Sequence, residues 1–169
     1  GAETGDLLAS ATPEGWLNVL EAGNIMQYES PEAGQLPDWS VPRPGVYTIS
    51  TDPMIMVWNK LLLPEELQPQ GIADLAEKVQ ANPDVFQNSV TSYDAAKSSF
   101  GQAINAVFER EHPDTYWQLM EAIAPQVRPE VSSGPMLAKL QSGEYKAGYF
   151  ISGIVFFPNF CRRRDAASL

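Results

Sequence analysis

The sequence predicts an α/β fold, in which short β-strands alternate with amphipathic helices. Apolar runs typical of strands alternate with helical periodicity along most of the chain. Residues 132–150 show this order in one segment: serines and a Gly-Pro pair open an apolar-periodic run, Gly143 closes it, and an alternating segment follows. With 169 residues, 44% of them hydrophobic, the chain can bury one substantial core. We expect one domain or two small lobes.

The first part of the chain predicts a strand, a helix and a long loop. Residues 5–10 have the apolar character of a short buried strand, and a helix follows with Thr12 as its N-cap and a proline in its first position. Gly23 is expected to end this helix. Residues 28–44 are rich in proline, glycine, serine and acids, which predicts a loop with Trp39 as its only large anchor.

The remainder predicts alternating strands and helices. Two β-type runs, at 46–50 and 53–59, are broken at Asp52-Pro53, as two strands or one strand crossing between lobes would be, and the break favours a hinge. Further along, helices are predicted at 71–81, 98–111 and 114–124, and strands at 85–93, 126–131 and 154–157.

Three turns place hydroxyl groups where a strand leads into a helix. These are residues 9–12, 91–94 and 131–134. In an open α/β sheet the ligand lies beyond the carboxyl ends of the strands, so converging turns would form a pocket of neutral donors for a small oxygenated or anionic ligand. The helix start at 132–135 is the strongest of the three, because its first N–H groups and small side chains suit an anion. Ordinary helix capping explains each turn equally well.

Composition excludes several function classes. A net charge of −10 argues against nucleic acid or an anionic membrane surface as partner. The longest apolar run is far too short to span a bilayer, and no signal peptide is visible, although a mature form would look the same. The single cysteine, Cys161, excludes an internal disulfide and a thiolate metal cluster. The single histidine, His112, has the character of a solvated cap residue, and no common catalytic motif occurs, so an enzyme is disfavoured and no cofactor or metal is predicted.

A set of motifs in fixed order resembles a known family. The order is Asp6 to Ser10, a helix and Gly23, residues 30–33, Asp52-Pro53 with apolar residues to Lys60, a serine-containing turn, and finally Leu140 to Tyr149. It resembles the extracytoplasmic solute-binding proteins of ABC importers, specifically the iron(III)-type group of the type 2 periplasmic-binding-protein fold. The likeness covers about residues 5–158.

The resemblance implies two α/β lobes that close over a ligand. It divides the chain into a partial first lobe with a long loop at 1–50, a second lobe with a crossover strand at 51–158, and an atypical tail at 159–169. Together with the turns, it gives a set of candidate ligand-binding residues: Ser10, Thr12, Ser92, Tyr93, Ser132, Ser133, Gly134 and Tyr149. Iron-binding members present an adjacent tyrosine pair, whereas this chain has Tyr145 and Tyr149 apart, so a small oxyanion or organic ligand is expected rather than bare iron.

The resemblance also implies partners and a location. We expect an ABC transporter permease as partner and a periplasmic or extracytoplasmic site of action. Family members are about twice as long, so the chain is interpreted as a truncated gene product with exposed strand edges, which favours a homodimer or a domain-swapped pair. Two alternatives stay open: an enzyme of unknown class that uses the hydroxyl-lined loops, and a self-associating vestigial protein that binds nothing.

Overall fold

Most of the regular structure lies in the second of two units. The computed structural model describes Leu7, Ala9 and residues 18–160. The chain divides into the units Gly1–Thr51 and Asp52–Leu169. The mixed helices and strands confirm the α/β fold class. Within the described residues, no helix has the length and apolar character needed to cross a membrane.

Turns and hydrogen bonds, rather than strands, organise residues 18–51, the continuously described part of the first unit. A helical turn at residues 18–21 ends at Gly23, whose φ of 72° is the left-handed conformation that glycine adopts at low cost, as predicted. The predicted strand at 46–50 is wrong, since only a single bridge between Arg43 and Val46 forms there. Trp39 is half exposed and does not anchor the loop.

The predicted strand at 5–10 lies mostly outside the described residues. Of the two residues described there, Leu7 is 95% exposed, and neither Leu7 nor Ala9 is in a strand.

Hydrogen bonds to Tyr47 close the loop that begins near Tyr28. The Tyr47 hydroxyl donates to the Tyr28 carbonyl at 2.9 Å and accepts from the Ser30 N–H at 2.7 Å.

The second unit is built on a four-stranded sheet. Its strands are β1 (Met54–Trp58), β2 (Val90–Tyr93), β3 (Val127–Glu130) and β4 (Ala147–Ser152). Their spatial order is β1-β4-β2-β3; β2 is parallel to both β3 and β4, and β1 is antiparallel to β4. The parallel strands agree with the alternation of strands and helices in the sequence, because a parallel connection needs a crossover.

Helices connect and cover these strands. They are α1 (Ile72–Ala81), α2 (Pro83–Phe86), α3 (Ser99–Glu111), α4 (Tyr116–Ile123), α5 (Ser133–Ser142) and α6 (Gly153–Phe160), with short 3₁₀ turns at Ala33–Gln35, Asp38–Ser40, Glu65–Leu67 and Ala124–Gln126. Helix α1 buries Leu75, Ala76 and Val79, which recur with the helical period of its sequence. Helix α5 ends at Gly143, with φ at 85°, as the sequence predicts.

The predicted strand at 154–157 is wrong, because these residues belong to helix α6. Asp52 accepts hydrogen bonds from the Ile154 N–H at 3.1 Å and from the Ser152 hydroxyl at 2.6 Å, while the Ser152 oxygen accepts from the Val155 N–H at 3.2 Å. These acceptors satisfy N–H groups that a helix start leaves unpaired. Periodicity alone does not separate a short apolar helix from a buried strand.

Strand β4 is irregular at its centre. Gly148 pairs with Val57 and Ile151 pairs with Ile55, so Tyr149 and Phe150 together lie opposite one residue of β1, which is the arrangement of a β-bulge. Phe150 has a φ of 58°, which is uncommon for a bulky residue. Beyond Gly148, β4 also has no further paired residue in β2 within the described sheet.

Candidate functional site

The ends of several strands meet at one side of the sheet. We call this side the carboxyl edge; it is formed by the ends of β2, β3 and β4 and the start of β1. The strand order reverses at β2, because β3 lies on one side of it and β4 on the other. Open α/β sheets bind ligands in the crevice outside such a reversal. The carboxyl edge is therefore the first candidate site.

Ser133 is the central polar residue of the carboxyl edge. Its hydroxyl oxygen shares a hydrogen bond of 2.6 Å with the Tyr93 hydroxyl and accepts another of 2.9 Å from the Ser152 N–H. Ser133 is 2% exposed. Two turns that the sequence places far apart are thus joined, but by a buried hydroxyl that is engaged within the protein.

Tyr93 supplies a neutral phenol at this edge. Burial raises its pKa, and the negative charge of Asp52 acts in the same direction, although the hydrogen bond with Ser133 works against both. Its ring also contacts Phe100 edge to face, with centroids 5.5 Å apart. Tyr93 is therefore a protonated, fixed group at neutral pH.

Ser132 and Gly134 form the exposed part of the carboxyl edge. Ser132 is the N-cap of α5 in extended conformation, and among the described residues its hydroxyl makes no hydrogen bond to the helix. Gly134 is exposed, and apart from its chain neighbours and the backbone of its own helix no described atom lies within 4 Å of the position that a Cβ would take there. The first N–H groups of α5 remain available beside these two residues. A small ligand could contact the edge here without displacing a side chain.

One ion pair lies beside the end of β2. Asp94 follows the strand directly, and its N–H donates to the Glu130 carbonyl at 2.8 Å, which ties β2 to β3. Hydrogen bonding from Lys97, at 3.1 Å, and from the Ala96 N–H lowers the pKa of the Asp94 carboxyl. This ion pair adds an ammonium group and a carboxylate to the hydroxyls of the carboxyl edge.

A second group of residues surrounds Tyr149, away from Ser133. An open cleft of about 280 Å³ is lined by Asn105, Tyr116, Met120, Ala124, Val127, Pro129 and Tyr149. Burial raises the pKa of Tyr149 to about 12, against a lowering effect of the nearby Ser92 hydroxyl. The Ser92 hydroxyl itself is buried, and no hydrogen bond of normal geometry reaches it within residues 18–160.

The eight candidate residues are therefore divided between places. Tyr93, Ser132, Ser133 and Gly134 meet at the carboxyl edge, while Ser92 and Tyr149 belong with the cleft. Ser10 and Thr12 lie outside the described residues.

Sequence reasoning missed two residues of the carboxyl edge, Asp52 and Ser152. The sequence signal for Asp52 was its position at the Asp52-Pro53 break, whereas Ser152 carried none, because it lies in an apolar run.

Tyr145 and Tyr149, the two tyrosines considered for iron binding through the family resemblance, do not meet at a common site. The Tyr145 hydroxyl donates to Glu130 at 2.7 Å, whereas the Tyr149 hydroxyl donates to the Met120 sulfur at 3.9 Å. Within the described part of the chain, no group of three or more His, Cys, Asp or Glu residues is placed to hold a metal ion.

Comparison with known proteins gives a structural likeness alone. No family model and no curated protein matches the sequence. Eleven chains of solved structures match it. One is described as the crystal structure of the substrate binding protein of the ABC transporter from Agrobacterium tumefaciens; it is 20% identical and has a TM-score of 0.73 over 81% of this chain. The chain spans 40% of the length of that protein. The comparison supports a fold of the kind found in ABC substrate-binding proteins.

Proposed function

We propose that this chain acts as a solute-binding component of an ABC import system. The observation that supports it is the similarity in fold, over 81% of the chain, to a substrate-binding protein of an ABC transporter. The similar protein is described as a binding protein rather than an enzyme, which favours binding without turnover. On this proposal the second lobe comprises residues 51–158, and the protein meets its transporter permease outside the cytoplasm.

The carboxyl edge is the proposed ligand site of this function. Ser132 and Gly134 are exposed there, next to the unpaired N–H groups of α5, and Tyr93 and Ser133 lie buried beneath them. N–H donors at a helix start favour a negative group, and the small side chains allow it to approach the backbone. The proposed ligand is a small oxyanion or an organic molecule that carries an anionic group.

Bare iron(III) is disfavoured as the transported ligand, and an iron(III) complex with an organic anion remains within the proposal. Phenolate oxygens suit hard trivalent ions, but Tyr145 and Tyr149 direct their hydroxyls to different partners. Burial also keeps the pKa of Tyr149 at about 12, which opposes the phenolate form. If the chain serves iron transport, as the iron(III)-type subgroup does, we propose that it binds iron(III) as an anionic complex and not as the bare ion.

Self-association stays a prediction, with fewer exposed strands to support it than the sequence suggested. Residues 154–157, which were predicted to form an exposed strand, belong to helix α6. They therefore provide no strand edge with which a second copy could pair. Strand β1 lies at the edge of the described sheet and pairs with β4 on one side. A homodimer or domain-swapped pair through this strand would give about twice the 18.6 kDa chain mass in light scattering.

Native mass spectrometry of freshly purified protein tests the proposed function directly. We expect a co-purified small molecule, or rebinding of phosphate, citrate or ferric citrate after denaturation and refolding. The variant Ser132→Asp places a negative charge at the start of α5 while keeping a good N-cap residue, so it should abolish anion binding and retain the fold. Ala138→Asp adds the same charge to an exposed position of the same helix, roughly 9 Å away by helical rise, and is the matched control.

The outcomes separate the proposal from its alternatives. Loss of the bound anion in Ser132→Asp but not in Ala138→Asp would support the carboxyl edge as the site. Equal binding by both variants would remove the edge from the proposal. Conversion of a bound molecule into a product of different mass would favour an enzyme instead.

A further inference from the structure

The Tyr149 cleft is a second concave site, and none of its lining residues belongs to the carboxyl edge. It lies between α3, α4 and the strands β3 and β4, through Asn105, Tyr116, Val127 and Tyr149. We propose that this cleft binds a small, neutral molecule that carries a hydrogen-bond acceptor oxygen, such as an aromatic ketone. This inference does not rest on the proposed transport function.

The charges around the cleft select against ions. All of its lining residues are uncharged. Burial raises the pKa of Tyr116 in the cleft lining, and the negative charge of Glu109 acts in the same direction. An anion would meet this negative field, and a cation would find no carboxylate in the lining to pair with. A neutral ligand is therefore the class that the cleft accommodates at least cost.

Most polar groups of the cleft already have protein partners. The Tyr116 hydroxyl donates to the Asn105 side-chain oxygen at 3.0 Å, and the Asn105 amide donates to the Gly101 carbonyl at 2.8 Å. These groups hold one another in place and require nothing from a ligand. They give one side of the cleft a fixed polar wall.

Tyr149 is the exception, because its hydroxyl proton lacks a strong acceptor. Its hydrogen-bond contact is the Met120 sulfur at 3.9 Å, and a thioether is a weak acceptor. The Ser92 hydroxyl nearby lowers the pKa of Tyr149, but it is buried and no hydrogen bond of normal geometry reaches it within residues 18–160. A ligand oxygen would supply the missing acceptor, and buried donors without one are costly.

The backbone around Tyr149 is also unusual in a way that suits a ligand site. Tyr149 lies in the β4 bulge, so its side-chain direction is not set by the regular alternation of the strand. The next residue, Phe150, holds a φ of 58° while buried against Phe108, with ring centroids 5.2 Å apart. Such backbone strain persists where the surrounding structure enforces it, and it concentrates at ligand sites.

Methyl NMR of methionine gives a direct test. The protein is labelled with ¹³C at the methionine methyl groups, of which Met120 lines the cleft while Met54 and Met136 lie elsewhere; Met120→Leu assigns the reporter signal. The probes are acetophenone, which has a ring and an acceptor oxygen, toluene, which lacks the oxygen, and benzoate, which adds a charge. We expect acetophenone to shift Met120 selectively, toluene to bind about 5-fold more weakly, as one neutral hydrogen bond predicts, and benzoate to cause no shift.

Three variants, one of them a control, make the test decisive. Tyr149→Phe should weaken acetophenone about 5-fold, to the level of toluene, and leave toluene unchanged. Ala124→Phe should fill the cleft and abolish both, whereas Ala138→Phe at an exposed position of α5 should abolish neither. Unchanged methyl signals of Met136 in each variant verify that the core is intact. Absence of a Met120 shift with acetophenone, or equal binding of acetophenone and toluene by the wild type, would overturn the proposal.

Discussion

Replacing Ser133 by alanine should destabilise the second unit through two lost hydrogen bonds. The substitution leaves the Ser152 N–H and the Tyr93 hydroxyl without the oxygen they now reach at 2.9 and 2.6 Å. Leaving a buried N–H unpaired costs about 1–3 kcal/mol, and an ordinary hydrogen bond contributes about 1 kcal/mol. We expect a loss of about 2–3 kcal/mol in unfolding free energy, which corresponds to a fall of about 4–12 °C in Tm for a chain of this size.

Thermal unfolding by circular dichroism and urea unfolding measure this loss. Ser132→Ala is the matched control, because Ser132 is exposed and its hydroxyl makes no hydrogen bond to the described helix; it should change stability by less than about 0.5 kcal/mol. Tyr93→Phe removes only one of the two bonds and should cost about 1 kcal/mol. The double variant should cost less than the sum of the two single losses, since both act on the same bond.

The reasoning would be refuted by equal stability of Ser133→Ala and Ser132→Ala. That result would mean that the Ser152 N–H finds another acceptor or water in solution. Strict additivity of Ser133→Ala and Tyr93→Phe would instead show that the two hydroxyls do not interact.

Three further predictions concern protons and iron. Glu130→Gln should lower Tm at pH 7 by about 1–4 °C, because it removes the carboxylate charge that pairs with Lys139 at 2.9 Å and strengthens the hydrogen bond from Tyr145, a loss of about 0.5–1 kcal/mol. Because hydrogen bonds from Lys139 and Tyr145 lower the pKa of Glu130, this contribution is complete above the ordinary value of 4.5 and should vanish in melts at lower pH. The pKa of Tyr149, raised to about 12, predicts that its phenolate absorbance is missing from an ultraviolet titration at pH 10–11, and that stability falls as pH rises from 10 to 12. Wild type and Tyr149→Phe should therefore titrate equally near pH 10, and a larger phenolate absorbance in the wild type at that pH would contradict this. Ferric citrate should give no tyrosinate charge-transfer band, and a visible band would argue for direct iron binding.

Local signals in the sequence predicted the elements that local chemistry determines. Helix α1 follows from its apolar period, and helix α5 with its Gly143 cap follows from residues that begin and end helices wherever they occur. The segment 154–157 failed because the residue that caps its helix, Asp52, is about a hundred positions away in sequence. A window of a few apolar residues contains no trace of that partner.

The candidate site was predictable to the same extent. Hydroxyl-bearing turns after strands drew attention to residues 91–94 and 131–134, because the carboxyl ends of parallel strands share one side of a sheet, and the hydroxyls of Tyr93 and Ser133 lie 2.6 Å apart there. The same reasoning could not show which residues next to Tyr93 and Ser133 belong to the carboxyl edge and which belong to the Tyr149 cleft. Ser92 precedes Tyr93 but belongs with Tyr149, since adjacent strand residues point to opposite faces, and the bulge that orients Tyr149 has no sequence signature.

The limited pairing of β4 with β2 determines how firmly the two halves of the sheet are held together. Only Ala147 and Gly148 of β4 pair with β2, and beyond them the Ser133 hydroxyl takes the place of a backbone rung by holding Ser152. The sheet thus consists of two strand pairs, β1–β4 and β2–β3. Main-chain pairing joins them at one end, and the hydroxyl oxygen of Ser133 joins them at the other. A substitution at Ser133 would therefore change how the ends of β2 and β4 are held together, while β1–β4 and β2–β3 keep their own strand pairing.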